Sequence, residues 1–436
     1  MRAVDPCSRK RLRLEGDCSV SALLQAEPLA PLRHRNFRRL ATGRLMTYSA
    51  NMMAPVALAF AVLDLTGSTT DLGYVVGARS ITNVALLLLG GVVADRVSRA
   101  VVLQGSALVA ACVQAVIAAS VLLHFASIPL LVGLSALNGA VAAMSFPASA
   151  ALTPQTVPQE LLRQANAVMR ITVNIGSIIG ASLGGVLVAS LGPGWGLGCN
   201  AVLFAGAAMF FAGIRIPAAT GQPVEHAHPL TELADGWREF WSRSWVWSVV
   251  LLCTVVNAVQ AGGVLVLGPV IANHSMGRTA WGVALTAQMV GAVVGGLIAA
   301  RSRIHRMLYL GVALILMAAL PLIVLALAPT VLLLAFVMFL SGVALEQVTV
   351  AWDLSLQENI PPDRLARVYS YDAVGSFLAL PIGEIGAGIL AQHIGNSATL
   401  LGGSAALVAA TIATLGNRQV RNLTTSHDRE DQGLSP

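Results

Sequence analysis

Gly90-Gly91-Val92-Val93-Ala94-Asp95-Arg96 closes one long apolar run, and Gly295-Gly296-Leu297-Ile298-Ala299-Ala300-Arg301 closes another 205 residues further on. Val157-Pro158-Gln159-Glu160 matches Ile360-Pro361-Pro362-Asp363 at an offset of 203. At that same offset Gly180, Gly185 and Gly192 match Gly383, Gly388 and Gly395. Three matches within two residues of one period mark a duplicated chain. What is duplicated follows from the apolar runs, which span roughly 40–63, 72–94, 101–123, 128–151, 166–190, 196–214, 246–271, 280–300, 307–327, 330–352, 368–393 and 397–415. A helix of about 20 residues crosses the ~30 Å of hydrocarbon in a bilayer. Lipid offers no partner for open backbone groups, so these runs are helices. The longest break, near 215–245, carries Pro217, Pro223, Glu225, Pro229, Asp235 and Arg238 and divides twelve runs into two sets of six. The expected fold is all-α and membrane-embedded, with twelve transmembrane helices in two six-helix bundles, residues 37–216 and 245–417. A central loop (217–244) joins them, a disordered basic tail (1–36) precedes them and a C-terminal tail (418–436) follows.

Composition agrees. The chain of 436 residues is 56% hydrophobic and 11% charged, with a mean hydropathy of +0.74. Soluble domains carry about 25% charged residues, so this chain cannot supply a polar skin. With both tails and every even-numbered loop inside, 24 of the 27 basic residues face the cytoplasm, which is the positive-inside pattern. Arg278 falls outside, and Arg44 and Arg79 lie within helices. This placement accounts for the net charge of +6 without nucleic acid. It predicts a multi-pass protein of the plasma membrane with both termini cytoplasmic; a monomer is expected, though nothing in the charge pattern bears on it.

Several chemistries are excluded. The single lysine, Lys10, follows no glycine, so there is no phosphate-binding Gly-Lys-Ser/Thr loop, and no membrane lysine is available for a retinal Schiff base. The five cysteines form no CxxC pair, and no metal or other cofactor is expected. Gly180-Ala181-Ser182-Leu183-Gly184 has the G-x-S-x-G form of a hydrolase elbow, but it lies in mid-helix where that elbow needs a strand-to-helix turn. The chain is not read as an enzyme.

Gly91-x-x-x-Asp95-Arg96-x-Ser98-Arg99 resembles the signature loop between helices 2 and 3 of the major facilitator superfamily, with Ser98 where glycine is usual. Ala59-Phe60-Ala61-Val62-Leu63-Asp64-Leu65-Thr66-Gly67-Ser68, Pro158-Gln159-Glu160-Leu161-Leu162-Arg163-Gln164-Ala165-Asn166 and Arg367-Val368-Tyr369-Ser370-Tyr371-Asp372 are similar to the enterobactin-exporter and macrolide-efflux branch, especially its actinobacterial members. The resemblance runs from about Asn36 to Gly416. It implies that Asp95 meets the N-terminal end of helix 11, near Arg367 to Tyr369, and latches the outward-facing state; a carboxylate there is favoured by about 0.3–1 kcal/mol. The alternative role of Gly91, Asp95, Arg96 and Arg99 is a topology anchor. The stripe Gly176, Gly180, Gly184 and Gly185 in helix 5 either packs helices tightly or stands in for the drug-exporter antiport motif, in which a proline occupies the position of Ala181.

Ionisable groups within the membrane cost about 2.5–3.5 kcal/mol on insertion scales and are functional candidates by default. Glu384 lies about 24 Å into helix 11, counting 1.5 Å per residue from Val368. Gly383, Gly386 and Gly388 leave room beside it. Glu384 and Glu346 are the candidate proton carriers, although a glutamate bonded to a neighbouring helix would leave the same trace. Arg79 either snorkels or pairs with Asp64 or Asp71, and Arg44 snorkels likewise. Asn51 and Asn257 occupy related places in the two halves and either line the cavity or bond helix to helix. Together these features, with the resemblance, lead to the expectation of proton-coupled efflux of a small amphiphilic molecule by alternating access. An uptake symporter or facilitator on the same fold and a non-transporting receptor are the alternatives.

Overall fold

A computed structural model describes residues 30–96, 98–214, 242–301, 306–360 and 362–423. Twelve long helical rods follow one another: α1 (Arg35–Thr66), α2 (Thr69–Arg96), α3 (Arg99–Leu122), α4 (Ile128–Leu152), α5 (Leu162–Leu191), α6 (Pro193–Ala212), α7 (Ser244–Ser275), α8 (Arg278–Arg301), α9 (Met307–Leu327), α10 (Val331–Asn359), α11 (Pro362–Ile394) and α12 (Asn396–Leu415). A short α13 (Arg418–Asn422) ends the described chain. Among the described residues, eleven of the rods are long and apolar enough to cross a membrane. The remaining one, α2, carries Thr69, Thr70, Asp71, Arg79, Ser80, Thr82 and Asn83 between its start and residue 83. Several helices outrun their apolar runs; α11 starts at Pro362, more than a turn before the first membrane-depth residue Val368.

The duplication is visible in the backbone. Gly192 (φ 93°) turns α5 into α6, and Gly395 (φ 87°) turns α11 into α12. Both sit in a region that L side chains rarely enter. Within each half the crossings repeat. Gly180 of α5 abuts the Ser49 carbonyl of α1, and Gly383 of α11 abuts the Ala258 carbonyl of α7. Gly139 of α4 abuts the Arg79 carbonyl of α2, and Gly342 of α10 abuts the Gln288 carbonyl of α8. These contacts relate the halves by 203 residues in α4 and α5 but by 209 in α1 and α2. The offset of 205 between the ends of α2 and α8 differs from that by four residues, because α8 is 24 residues long and α2 is 28. Four residues are about one helical turn, so the same face still meets the neighbouring helix.

Two rods are broken, each just before a proline. In α7 a π-turn covers Ala261–Leu267 ahead of Pro269, and in α9 a 3₁₀ stretch covers Ile315–Ala319 ahead of Pro321. A proline cannot donate to the preceding turn, and the helix rewinds locally to absorb the loss. The breaks face each other: Gly263 lies against Leu322, Gln260 Nε2 donates to the Ala318 carbonyl at 3.4 Å, and Ser404 Oγ donates to that of Ala319 at 3.3 Å.

The apolar core is distributed unevenly. At the end bearing Asp64 and Arg278, one cluster joins both halves, drawing on Phe60, Leu72, Leu131, Leu267, Trp281 and Leu334. At the opposite end, bearing Arg301, the halves keep separate clusters. One centres on Phe37, Leu152 and Phe211, the other on Trp245, Trp352 and Leu356.

Candidate functional site

The two halves meet chiefly along α2–α11 and α5–α8, and both seams close toward the Asp64 end. On the first, Gly73 lets the Glu384 carbonyl approach so closely that a Cβ would stand 2.8 Å from it. Gly388 lies against Thr69 and Thr70, whose hydroxyl donates to Gln392 Oε1 at 2.8 Å. On the second, Gly185 and Gly282 meet backbone to backbone, and Ser182 and Thr286 share a hydrogen bond of 2.8 Å.

The opposite half of the α5–α8 seam is open. Along one face of α5, Ala181 and Gly185 are buried, Ile178 is half-buried, and Asn174, Arg170 and Ala167 are exposed. The lipid-type face behaves differently: Ile171, Ile175, Ile179, Leu183 and Val186 are exposed along its whole length. A face that goes from covered to bare along one helix lines a cleft between the halves. Arg170, counted from its position in the sequence with the flanking basic residues, lies inside α5 on this cleft face. It comes within 3.9 Å of Glu346 on α10, with the two side chains 70% and 27% exposed. Glu346 rests beside Gly295 and Gly296.

In the α2–α11 seam lies a buried polar cluster. Glu384 is 2% exposed. The Ser80 hydroxyl donates to its carboxylate, and the charge of Arg79 acts on it across the seam; its Oε2 has no hydrogen-bond partner. Arg79 Nη2 donates to Asn51 Oδ1 at 3.0 Å. Asp64, a sequence-derived candidate partner for Arg79, is instead held by Arg278. Of the three glycines beside Glu384, Gly383 and Gly388 are filled by α7 and α2, and Gly386 faces open space.

The other candidates fall elsewhere. Gly176, Gly180 and Gly184 seat α5 on Leu45, Tyr48, Ser49 and Met53 of α1, and Gly185 alone of that stripe reaches the other half. Asn257 Nδ2 donates to the Ser376 carbonyl of α11 at 3.4 Å. The crossing register pairs Asn51 with Gln260 rather than with Asn257. Gln260 is a residue that sequence reading missed; its Oε1 is buried without a partner, and the signal for it was the register of the Gly180 and Gly383 crossings. Arg44 is half-buried in the third turn of α1. Gly91, Asp95 and Arg96 end α2, but their surroundings lie outside the described residues; Arg99 opens α3.

Transmembrane secretion effectors match residues 26–432. The chain belongs to this family of the major facilitator superfamily. It is a multi-pass transmembrane protein. It is 30% identical over 272 residues to the enterobactin exporter EntS of Citrobacter koseri and, at the same identity, to that of Escherichia coli. The match takes in 61% of this chain and 63% of those relatives, so less than two thirds of their length is spanned. Among solved structures it resembles the nucleoside transporter NupG, with a TM-score of 0.70, 14% identity and coverage of 89% and 99% of the two chains. It also resembles a bacterial homologue of the human lysosomal transporter Spinster in an inward-facing, unoccupied conformation, with a TM-score of 0.61, 16% identity and coverage of 88% and 94%. These two likenesses establish the fold.

Proposed function

We propose that this transporter exports a small amphiphilic molecule, such as a drug, natural product or siderophore, in exchange for protons, and that the structure is its inward-facing state. The carrying observation is the asymmetry of the core, one shared cluster at the Asp64 end against two separate ones at the Arg301 end. Arg38, Arg99, Arg301 and Arg306 all belong to the open end, which the positive-inside rule assigns to the cytoplasm together with both termini. Rocking of the two halves about the α2–α11 and α5–α8 seams then exposes the cleft alternately to each side.

Two carboxylates serve the proton step. Glu346 faces the cleft and exchanges with the cytoplasm in this state. Glu384 is sealed in the α2–α11 seam and meets the exterior when that seam opens. Asp95 and Arg96, at the cytoplasmic end of α2, latch the opposite state against α11. Export rests on the likeness to the enterobactin exporters.

Proteoliposomes with an imposed pH gradient test the reading. Candidate siderophores or macrolides should move against their own gradient, and Glu384→Gln should abolish the drive while leaving downhill exchange. Pumping by Glu384→Gln with its pH dependence intact makes Glu384 structural. Inward pumping by the wild type would reverse the assigned direction.

A further inference from the structure

Arg278 is the one basic residue that the sequence places outside, and it opens α8. A cation at a helix N-terminus faces the positive end of the dipole. Asp64 lies in the last turn of α1, where a carboxylate faces the negative end. Each charge is thus misplaced on its own helix, and topology disfavours Arg278 further. What each has is the other. Arg278 forks onto Asp64, with Nη1 donating to Oδ2 at 2.9 Å and Nη2 to Oδ1. Its Nε donates to Asn273 Oδ1 of α7 at 3.2 Å, and its guanidinium lies 5.0 Å from the centre of the Phe60 ring. The fork matches carboxylate geometry and the planar cation suits an aromatic face. The pair joins α1 of one half to α7 and α8 of the other, above the Gly185–Gly282 contact, and remains partly open to solvent, with the Arg278 and Asp64 side chains 24% and 42% exposed.

We propose that Asp64 and Arg278 form the external lock of the transport cycle, a charge pair that holds the outer end shut while the cleft is open inward and that breaks in every turnover. The inference rests on the alternating-access reading above. The lock sets the ratio of the two states and so the rate at which the emptied or loaded carrier reorients. Neither residue need touch the cargo.

Spin labels on Thr66→Cys and Thr279→Cys, in a background without native cysteines and reconstituted in lipid, report the separation of α1 and α8 at this end. Wild type should be dominated by the short distance. Asp64→Asn and Arg278→Gln should each raise the share of a longer distance by roughly threefold to tenfold, the range for a favourable partly exposed pair. Arg278→Lys, which keeps the charge and loses the fork, should fall between. Asp64→Arg combined with Arg278→Asp should restore the short distance and guards against misfolding of either single variant. An unchanged distribution in both single variants overturns the lock, and so does a charge swap that restores nothing in folded protein. If Asp64→Asn lengthens the distance but wild type never does under any pH gradient or cargo, the pair is a static clasp, and the lock falls because the transport cycle it rests on has failed.

Discussion

The two ends of the molecule are made from the same duplicated helices and differ in what the halves share. At the Asp64 end, Phe60 and Leu72 of one half and Leu267 and Trp281 of the other belong to a single apolar cluster. At the Arg301 end, Phe37 with Phe211 and Trp245 with Trp352 form two clusters that do not merge. Apolar burial is worth about 25 cal/mol per Å², so the shared cluster is what the protein would lose if that end opened. In lipid the exchange is gentler, because hydrocarbon covers apolar faces about as well as another helix does. Close backbone packing and polar contacts then decide which end stays shut. Glycine contacts within a half hold a bundle together; on the proposed cycle, those between halves hold only a state.

The largest effect should come from the contacts within a half. Gly180→Leu would drive a side chain into the Ser49 carbonyl, and Gly383→Leu into that of Ala258. Overpacking typically costs about 1–3 kcal/mol, and backbone obstruction on both sides of a crossing belongs at the top of that range or above it. Both variants should lose monodisperse protein and melt well below wild type. An unchanged melting temperature would mean that these crossings do not hold the bundles.

Gly282→Leu probes the seam instead. Its Cβ would meet the Gly185 Cα at 2.6 Å, across the halves. The bundles can relieve that clash by parting. The expected cost of about 1–3 kcal/mol should therefore appear as a shift toward the outward-open state, with melting little changed. Thiol labelling of Ser182→Cys from the outside should speed up accordingly. A folded variant with unaltered labelling would contradict a seam that opens there.

A smaller effect is expected in the α2–α11 seam. Arg79→Gln removes the charge beside Glu384 and replaces the guanidinium donor to Asn51 with a shorter amide. Leaving buried polar groups without partners costs about 1–3 kcal/mol, with the lower part expected here because glutamine can still donate to Asn51. Transport by Arg79→Gln should lose its normal pH profile while downhill exchange persists, and Arg79→Lys should restore part of it. A pH profile identical to wild type would make Arg79 a packing residue.

Much of the fold was legible in the sequence because membrane helices are written in long apolar runs and the duplication repeats its glycines. Gly180, Gly383, Gly192 and Gly395 could be matched by eye, and they occupy equivalent crossings and turns. The site was less legible. Glu384 announced itself as a carboxylate at membrane depth, but its partner Ser80 lies 304 residues away on another half. Asp64 and Arg278 carry no local signature that links them across 214 residues. The pairing of Asn51 with Gln260 was hidden because α1 and α7 are related by 209 residues whereas the glycine matches of α5 and α11 are related by 203, a difference that a fixed offset cannot accommodate. Sequence periodicity reports the face of a helix; the neighbour covering that face is a property of the assembled bundles.

The smallest effect should come from the open end's counterpart to the lock. Arg170 and Glu346 are 3.9 Å apart, with the arginine side chain 70% exposed. An exposed pair of this kind contributes about 0–1 kcal/mol, less once solvent and salt screen it. Arg170→Ala should therefore leave the melting temperature and the Thr66–Thr279 distance close to wild type, while Glu346→Gln should alter the pH dependence of cargo release on the cytoplasmic side. The pair becomes tight only if the cleft closes around it. A cross-link between Arg170→Cys and Glu346→Cys should accordingly form faster when the outer lock is broken by Asp64→Asn. If that cross-link forms equally fast with the lock intact, the open end does not close as the other opens, and the two ends are independent rather than reciprocal.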